Sequence, residues 1–149
     1  MLLSMAAVSR APEIMEEPSL RSIPVGKATP VSDLTTFDAA LICILYPYET
    51  HVDPNVALAE RINAYLDGAK YTADEGHWSI VLAGKETIEL VTFRRSRQLD
   101  ILAKHEISTV VADMLPEHFS PKDCANGAKS ALTKIEYRDR TYVVLGATD

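Results

Sequence analysis

The sequence predicts an α+β fold, a single small domain in which a mixed or antiparallel sheet with two hairpins is packed by two or three helices. The chain has 149 residues, the usual length of one domain. Its strand-like and helix-like apolar patterns follow one another without a repeated βα unit. A stretch with four prolines and no apolar period precedes them, at Pro12, Pro18, Pro24 and Pro30.

These prolines predict that the chain begins with an extended N-terminal arm. Proline removes a backbone donor and moves the preceding residue toward extended geometry, so this composition disfavours a packed element. We therefore assign residues 1–36 to the arm and residues 37–149 to the α+β globular domain.

The domain is expected to open with a buried strand and a helix. Apolar residues occupy both parities of the strand predicted over 37–46, as in a central strand covered on both faces. Asp53 followed by Pro54 is typical of a helix start, and apolar residues at helical spacing continue to a stop at Gly68.

Two hairpins are predicted from alternating strand formers. The first joins 78–83 to 86–93 through a two-residue type II′ turn at Gly84 and Lys85, with Ile80 opposite Glu89. Both of its faces are partly apolar, and we expect a neighbouring subunit to cover the second one. The other hairpin pairs 134–138 with 141–145.

Two further helices are predicted between the hairpins. Apolar spacing favours one long helix over 97–115, although the β-branched residues at 107–111 also fit a strand after a shorter helix. Ser120 followed by Pro121 is a second cap-plus-proline start, which predicts a helix to about Leu132.

Composition excludes several classes of protein. A formal net charge of −6 does not fit the basic surface of a nucleic-acid binder, so we expect no nucleic-acid partner. The longest apolar run, 39–46, is far below the roughly 20 residues that span a bilayer, so no membrane is expected. No basic region precedes the apolar start, so we expect no secretion by a signal peptide and a cytoplasmic or virion location.

Chemical motifs are few. Cys43 and Cys124 form no C-x-x-C pair, and we expect free thiols in a reducing compartment. The histidines lack metal-ligand spacing, and neither a nucleophile elbow nor a phosphate loop is present. We therefore assign no catalytic residues, no metal and no cofactor.

Two candidate sites remain. Arg94, Arg95 and Arg97 cluster where the sequence predicts a helix N-terminus, which repels cations, and this arrangement predicts an anion- or partner-binding site. A weaker alternative site is Tyr48, His51 and Asp53, in the loop after the first strand.

These observations favour a non-enzymatic assembly subunit that binds neighbouring protein chains, as a homo-oligomer or a larger assembly, through its arm and the half-apolar sheet face. In layout alone the chain resembles small connector or tail-completion subunits of phage particles, which would place it in a viral particle. The alternative is a small α/β enzyme or an anion- or nucleotide-binding domain with a site near Tyr48, His51, Asp53 and 94–97. The two differ in whether these loops converge on one concave pocket.

Overall fold

Two β-sheets and three short helices build this protein, whose computed structural model describes residues 15–149. The helices are α1 (Glu17–Arg21), α2 (Ala59–Gly68) and α3 (Thr109–Ala112). The strands are β1 (Thr29–Pro30), β2 (Leu41–Leu45), β3 (His77–Ala83), β4 (Ile88–Arg94), β5 (Asp100–Ile101), β6 (Phe119–Pro121), β7 (Cys124–Asn126), β8 (Ser130–Tyr137) and β9 (Arg140–Thr148). The predicted α+β class is confirmed.

The strands form two sheets of mostly antiparallel pairs. Sheet A has the order β1-β8-β9-β5, with β6 also pairing with β9. Sheet B has the order β4-β3-β2-β7. The pairing of β5 with β9 is parallel, and every other strand pair in the described residues is antiparallel.

The main core lies between the two sheets. Trp78 is fully buried there and stacks on Phe93 with ring centroids 4.6 Å apart. The other residues of this core stand at every second position of the strands, because successive side chains of a strand point to opposite faces. They include Ile42, Ile44, Ile80, Leu82, Leu132, Val143 and Leu145. Burial of these side chains is the dominant favourable term for the fold.

The second face of sheet B is covered by α2 of the same chain. Ile62 and Leu66 of α2 pack on Val81 and Leu45 in a second cluster of buried residues. The two-sided apolar pattern of the first hairpin therefore comes from a three-layer arrangement within one chain. This face does not need the neighbouring subunit that the sequence pattern led us to expect.

Much of the predicted arm is packed. Met15, Leu20, Ile23 and Val31 are at most 5% exposed and join the main core. Strand β1 pairs with β8, so residues 15–36 add to sheet A as well as to the core. This segment packs through single apolar side chains, although its sequence shows no regular spacing of apolar residues. The rest of the predicted arm, 1–14, lies outside the described residues.

Both hairpins are present. The second has a two-residue turn at Arg138 and Asp139, whose φ angles of 52° and 62° suit the twist of the flanking strands. The first has a four-residue connection, so Ile80 pairs with Val91 and not with Glu89. The register is shifted by two residues from the prediction, and an even shift leaves every side chain on its expected face.

Three helix predictions are wrong in extent or type. The helix expected at Asp53 begins at Ala59, because Asp53 caps a turn instead, its carboxylate accepting from the Asn55 N–H at 2.8 Å. The helix expected over 97–115 is replaced by β5 and by the four-residue α3, which also excludes the strand considered at 107–111. The helix expected over 120–132 is replaced by β6, β7 and the start of β8. In the last two cases, pairing with strands distant in sequence overrides local helical spacing.

The cysteines are bonded to each other. Cys43 of β2 lies directly opposite Cys124 of β7, and the two form a disulfide. The expectation of free thiols is wrong because it rested on sequence spacing, and the bonded residues are 81 positions apart. The bond fastens the three-residue strand β7 to sheet B.

Candidate functional site

A buried carboxylate, Asp100 of β5, pairs with two arginine side chains. Its side chain is 1% exposed. Arg95 donates to it from Nε at 2.8 Å and from Nη2 at 3.3 Å, and Arg140 donates from Nη1 at 3.1 Å. The Ile101 N–H donates to the same carboxylate at 2.8 Å. A carboxylate removed from water requires such partners, since an unpaired buried charge is strongly unfavourable.

The two arginines that bind Asp100 come from distant segments of the chain. Arg95 follows β4, whereas Arg140 begins β9. Arg140 also donates from Nη1 to the Ser96 carbonyl at 3.0 Å, and the Thr141 N–H donates to the Arg97 carbonyl at 2.8 Å. These contacts hold the loop after β4 against the tip of the second hairpin.

Two further arginines extend this group, and we call Arg95, Arg97, Arg138 and Arg140 the arginine cluster. Arg97 and Arg138 are exposed, and the Arg138 guanidinium lies over the Tyr137 ring, 5.0 Å from its centroid. The cation–π contact orients Arg138 without consuming its N–H donors.

The charge of the arginine cluster is only partly neutralised. The hydrogen bond with Asp100 raises the pKa of the Arg95 guanidinium, and its coulombic attraction acts in the same direction. Arg95 and Arg140 together still exceed Asp100 by one positive charge. Both side chains remain partly accessible, at 39% and 36% exposure. Asp100 thus fixes two of the four guanidinium groups, Arg95 and Arg140, and Arg97 and Arg138 add exposed donors nearby along the chain. Guanidinium groups of this kind suit carboxylate or phosphate oxygens.

Arg94, which the sequence placed with Arg95 and Arg97, lies apart from them. It is the last residue of β4 and pairs with His77 of β3. Successive residues of a strand point to opposite faces, so Arg94 faces away from the side that Arg95 occupies.

The second predicted site is divided. Tyr48 and Arg95 line one cleft of about 410 Å³, together with Tyr46, Pro47, Glu49, Ile101, His105 and Glu106. His51 and Asp53 are not among its lining residues: His51 Nε2 lies 2.7 Å from Asp67 Oδ1, and Asp53 forms the turn before α2. Of the two loops that the sequence predicted to form one site, the loop after β2 and the loop after β4, only Tyr48 and Arg95 line the same cleft.

Polar contacts shape the cleft. The Tyr48 hydroxyl donates to Glu75 Oε2 at 2.9 Å, and this contact raises the pKa of Tyr48. Arg95 Nη1 donates to the Glu75 carbonyl at 3.1 Å, so Glu75 connects the cleft to the arginine cluster. Desolvation raises the pKa of the Glu49 carboxyl, and the negative charge of Asp123 raises it further. Tyr48 adopts a φ of 70°, uncommon for a tyrosine, and its side chain is largely exposed.

Sequence reasoning missed Asp100, Arg138 and Arg140. Asp100 stands in the otherwise apolar run 99–103, and an acidic residue in such a run signals a buried charge that needs a partner. Arg138 and Arg140 flank a single aspartate between two strand patterns, but their sequence distance from Arg95 hid their proximity.

No metal site is evident in the part of the chain that the structure describes, where no three histidine, cysteine, aspartate or glutamate side chains gather in a suitable group. Among residues 15–149 no helix combines the length and apolar character needed to cross a membrane. Comparisons with protein-family models, curated proteins and solved structures find no match to this chain.

Proposed function

We propose that this protein is a non-enzymatic assembly subunit and that its arginine cluster binds an acidic segment of a neighbouring protein chain. The observation that carries the proposal is that Asp100 holds Arg95 and Arg140 together, while Arg97 and Arg138 lie on the loop and the hairpin turn that these contacts join. Because Asp100 already holds Arg95 and Arg140, these two side chains lose little conformational entropy on binding.

An acidic protein segment fits the surroundings better than nucleic acid does. The net charge of −6 opposes a long polyanion. Asp139 lies between Arg138 and Arg140 and interrupts the positive surface that a phosphodiester backbone would follow. Short carboxylate-bearing side chains can instead pair with individual guanidinium groups.

We further propose that the larger assembly is a viral particle. This part of the proposal rests on the resemblance in layout to the connector and tail-completion subunits of phage particles. Disulfides are rare in cytosolic proteins and persist at virion surfaces. The Cys43–Cys124 bond therefore favours the virion over the cytoplasm as the place of the mature protein.

Binding of a fluorescent hexaglutamate peptide, measured by anisotropy at low and physiological salt, tests the proposal. We expect the double variant R97E/R138E to weaken binding by about tenfold or more at low salt, because two attractions to the glutamates become repulsions. The difference should shrink at physiological salt, which screens exposed charges. The thermal stability of the double variant should stay close to that of the wild type, since both side chains are exposed.

The matched control is K129E, which reverses an exposed charge at the opposite end of β8 from the arginine cluster. Equal loss of binding in K129E and in the double variant would contradict a defined site. Tighter binding of an oligothymidylate of equal charge than of hexaglutamate would replace the acidic protein partner with nucleic acid.

A second function has one observation in its favour: Tyr48 and Arg95 line the same cleft as Glu49 and His105. An exposed aromatic ring, a guanidinium and two titratable groups around one concavity suit a small polar ligand. This function predicts that a fragment-library screen by NMR shifts the signals of these residues selectively, and that Y48A removes the response.

A further inference from the structure

The cleft between the loop after β2 and residues 104–106 carries more negative than positive charge. Among the described residues that line it, two carry a carboxylate, Glu49 and Glu106, and one carries a guanidinium, Arg95. Arg95 is also paired already, because its Nε and Nη2 donate to the buried Asp100. With histidine neutral at pH 7, the cleft therefore suits a cation better than an anion.

Glu49 is the less well paired of the two carboxylates. Glu106 accepts from the Ala103 N–H at 3.1 Å, whereas no side chain within residues 15–149 donates a hydrogen bond to Glu49. Desolvation raises the pKa of the Glu49 carboxyl, and the nearby Tyr46 N–H offsets this effect only in part. A cation that donates to Glu49 replaces the solvation that this carboxylate has lost.

The side chains around Glu49 do not supply that cation. The negative charge of Asp123 raises the pKa of Glu49 further, and the Tyr46 hydroxyl is directed to Asp123 Oδ1, 2.9 Å away. His105 favours the ionised form of Glu49 only when its own ring is protonated. A ligand that brings a positive charge to Glu49 therefore adds an interaction that the cleft itself does not provide.

The ring of Tyr48 makes an organic cation the better fit. Tyr48 is 68% exposed, yet its hydroxyl donates to Glu75 Oε2 at 2.9 Å, which holds the ring beside the cleft. A tyrosine ring attracts an ammonium group that lies over its face. A metal ion would require several ligands, and no suitable group of three histidine, cysteine, aspartate or glutamate side chains gathers in the described part of the chain.

We propose that this cleft binds a primary ammonium group, which donates to the Glu49 carboxylate and lies against the Tyr48 ring. The ligand class rests on the second function proposed above, which has to hold for any ligand to bind here. A lysine side chain of a partner protein and a free diamine both carry this group, and a cleft of about 410 Å³ is large enough for either. Glu49 takes no part in the arginine cluster, so the acidic-segment proposal does not depend on this one.

Titration of the full-length protein with small probes, followed by heteronuclear NMR, tests the charge of the ligand. Butylammonium carries the ammonium group, pentanol is its uncharged counterpart, and butyrate is an anion of similar size. We expect butylammonium to shift the backbone signals of Tyr48 and Glu49 and to bind about tenfold more tightly than the other two, because only this probe brings a positive charge to Glu49.

Two outcomes of this titration would overturn the ammonium class. Equal or tighter binding of pentanol or butyrate in the cleft would do so and would leave the second function in place. The absence of any shift with butylammonium would also do so, and the fragment screen then decides the second function separately.

Neutralising Glu49 tests its role directly. E49Q keeps the shape of an exposed side chain, so the fold should not change, and we expect it to bind butylammonium about tenfold more weakly. E86Q is the matched control, because Glu86 is exposed and lies at the end of β3 where Ala83 pairs with Ile88, far from the end near Arg95. Wild-type affinity in E49Q, or an equal loss in E86Q, would contradict a site at Glu49.

Two further comparisons test the ring and the source of the ammonium group. Y48F keeps the ring and should bind butylammonium as the wild type does, whereas Y48L should bind about threefold more weakly. Equal affinities of Y48F and Y48L would overturn the contact with the ring. An acetylated Gly-Lys-Gly amide and diaminobutane distinguish the sources: tighter binding of the peptide supports a lysine of a partner chain, and tighter binding of the diamine supports a free amine.

Discussion

Replacing Asp100 with asparagine tests whether one buried carboxylate holds the arginine cluster together. Asparagine has nearly the same shape and keeps an oxygen that can accept from the Ile101 N–H, a bond of 2.8 Å in the wild type. The substitution removes the negative charge that faces Arg95 and Arg140. Two guanidinium groups then lie together beside a neutral amide.

The structure gives the size of the expected effect. Removing one partner of a buried ion pair costs about 3–5 kcal/mol. Arg95 and Arg140 are 39% and 36% exposed, so both can regain contact with water after the carboxylate is lost. We therefore expect the free energy of unfolding to fall by about 3 kcal/mol, the lower end of that range. For a domain of this size such a loss corresponds to a decrease in Tm of roughly 6–12 °C.

Urea denaturation followed by Trp78 fluorescence measures this loss, because the indole is fully buried in the main core. D139N is the matched control: Asp139 is exposed, and its φ of 62° is one that asparagine tolerates. The control should change the free energy of unfolding by less than about 0.5 kcal/mol. A D100N protein as stable as D139N would refute the argument that this carboxylate anchors the cluster.

Two further predictions concern the disulfide and the alkaline limit of stability. Reducing the Cys43–Cys124 bond, which closes a loop across 81 positions, should lower the free energy of unfolding by about 4.5 kcal/mol in the chain-entropy model. Denaturation with and without reductant measures this loss, and two free thiols titrated in air-oxidised native protein would contradict the bond. Burial, and secondarily the neighbouring Asp123, raises the pKa of Tyr46 above its usual 10.0. The Tyr46 hydroxyl therefore loses its proton at lower pH in the unfolded state than in the folded state, and the free energy of unfolding should fall as the pH rises above 10.0. Y46F removes this titration and should make the fall less steep when denaturation is followed against pH. An equally steep fall in Y46F would assign the effect to other groups.

Patterns local in sequence predicted much of the architecture. Alternating strand formers around a turn identified both hairpins, because adjacent strands pair through nearby residues. The same alternation assigned the two faces of β3 and β4 correctly, since a register error of two residues preserves the direction of every side chain. The apolar run around Ile42 and Ile44 likewise indicated a strand buried on both faces, and the two cores on either side of sheet B agree with it.

The candidate site was only partly accessible from the sequence. Arg95 and Arg97 were identified because three cations stood close together, but Arg140 is separated from Asp100 by 40 positions. Arg94 was grouped with them because it is their neighbour in the chain, although strand geometry turns it to another face. Tyr48 lines the cleft, whereas His51 contacts Asp67 of α2 and Asp53 forms the turn before that helix.

The sequence by itself determined the fold class, the hairpins and the alternation of buried and exposed side chains, because these depend on residues a few positions apart. Only the tertiary structure decided that Asp100 lies in a strand rather than a helix, since β5 exists through its pairing with β9. It also decided that Met15 and Leu20 join the core and that the two cysteines meet. Such contacts between distant segments override the weak local preferences for helix, strand or arm, which amount to less than about 1 kcal/mol per residue for most residue types.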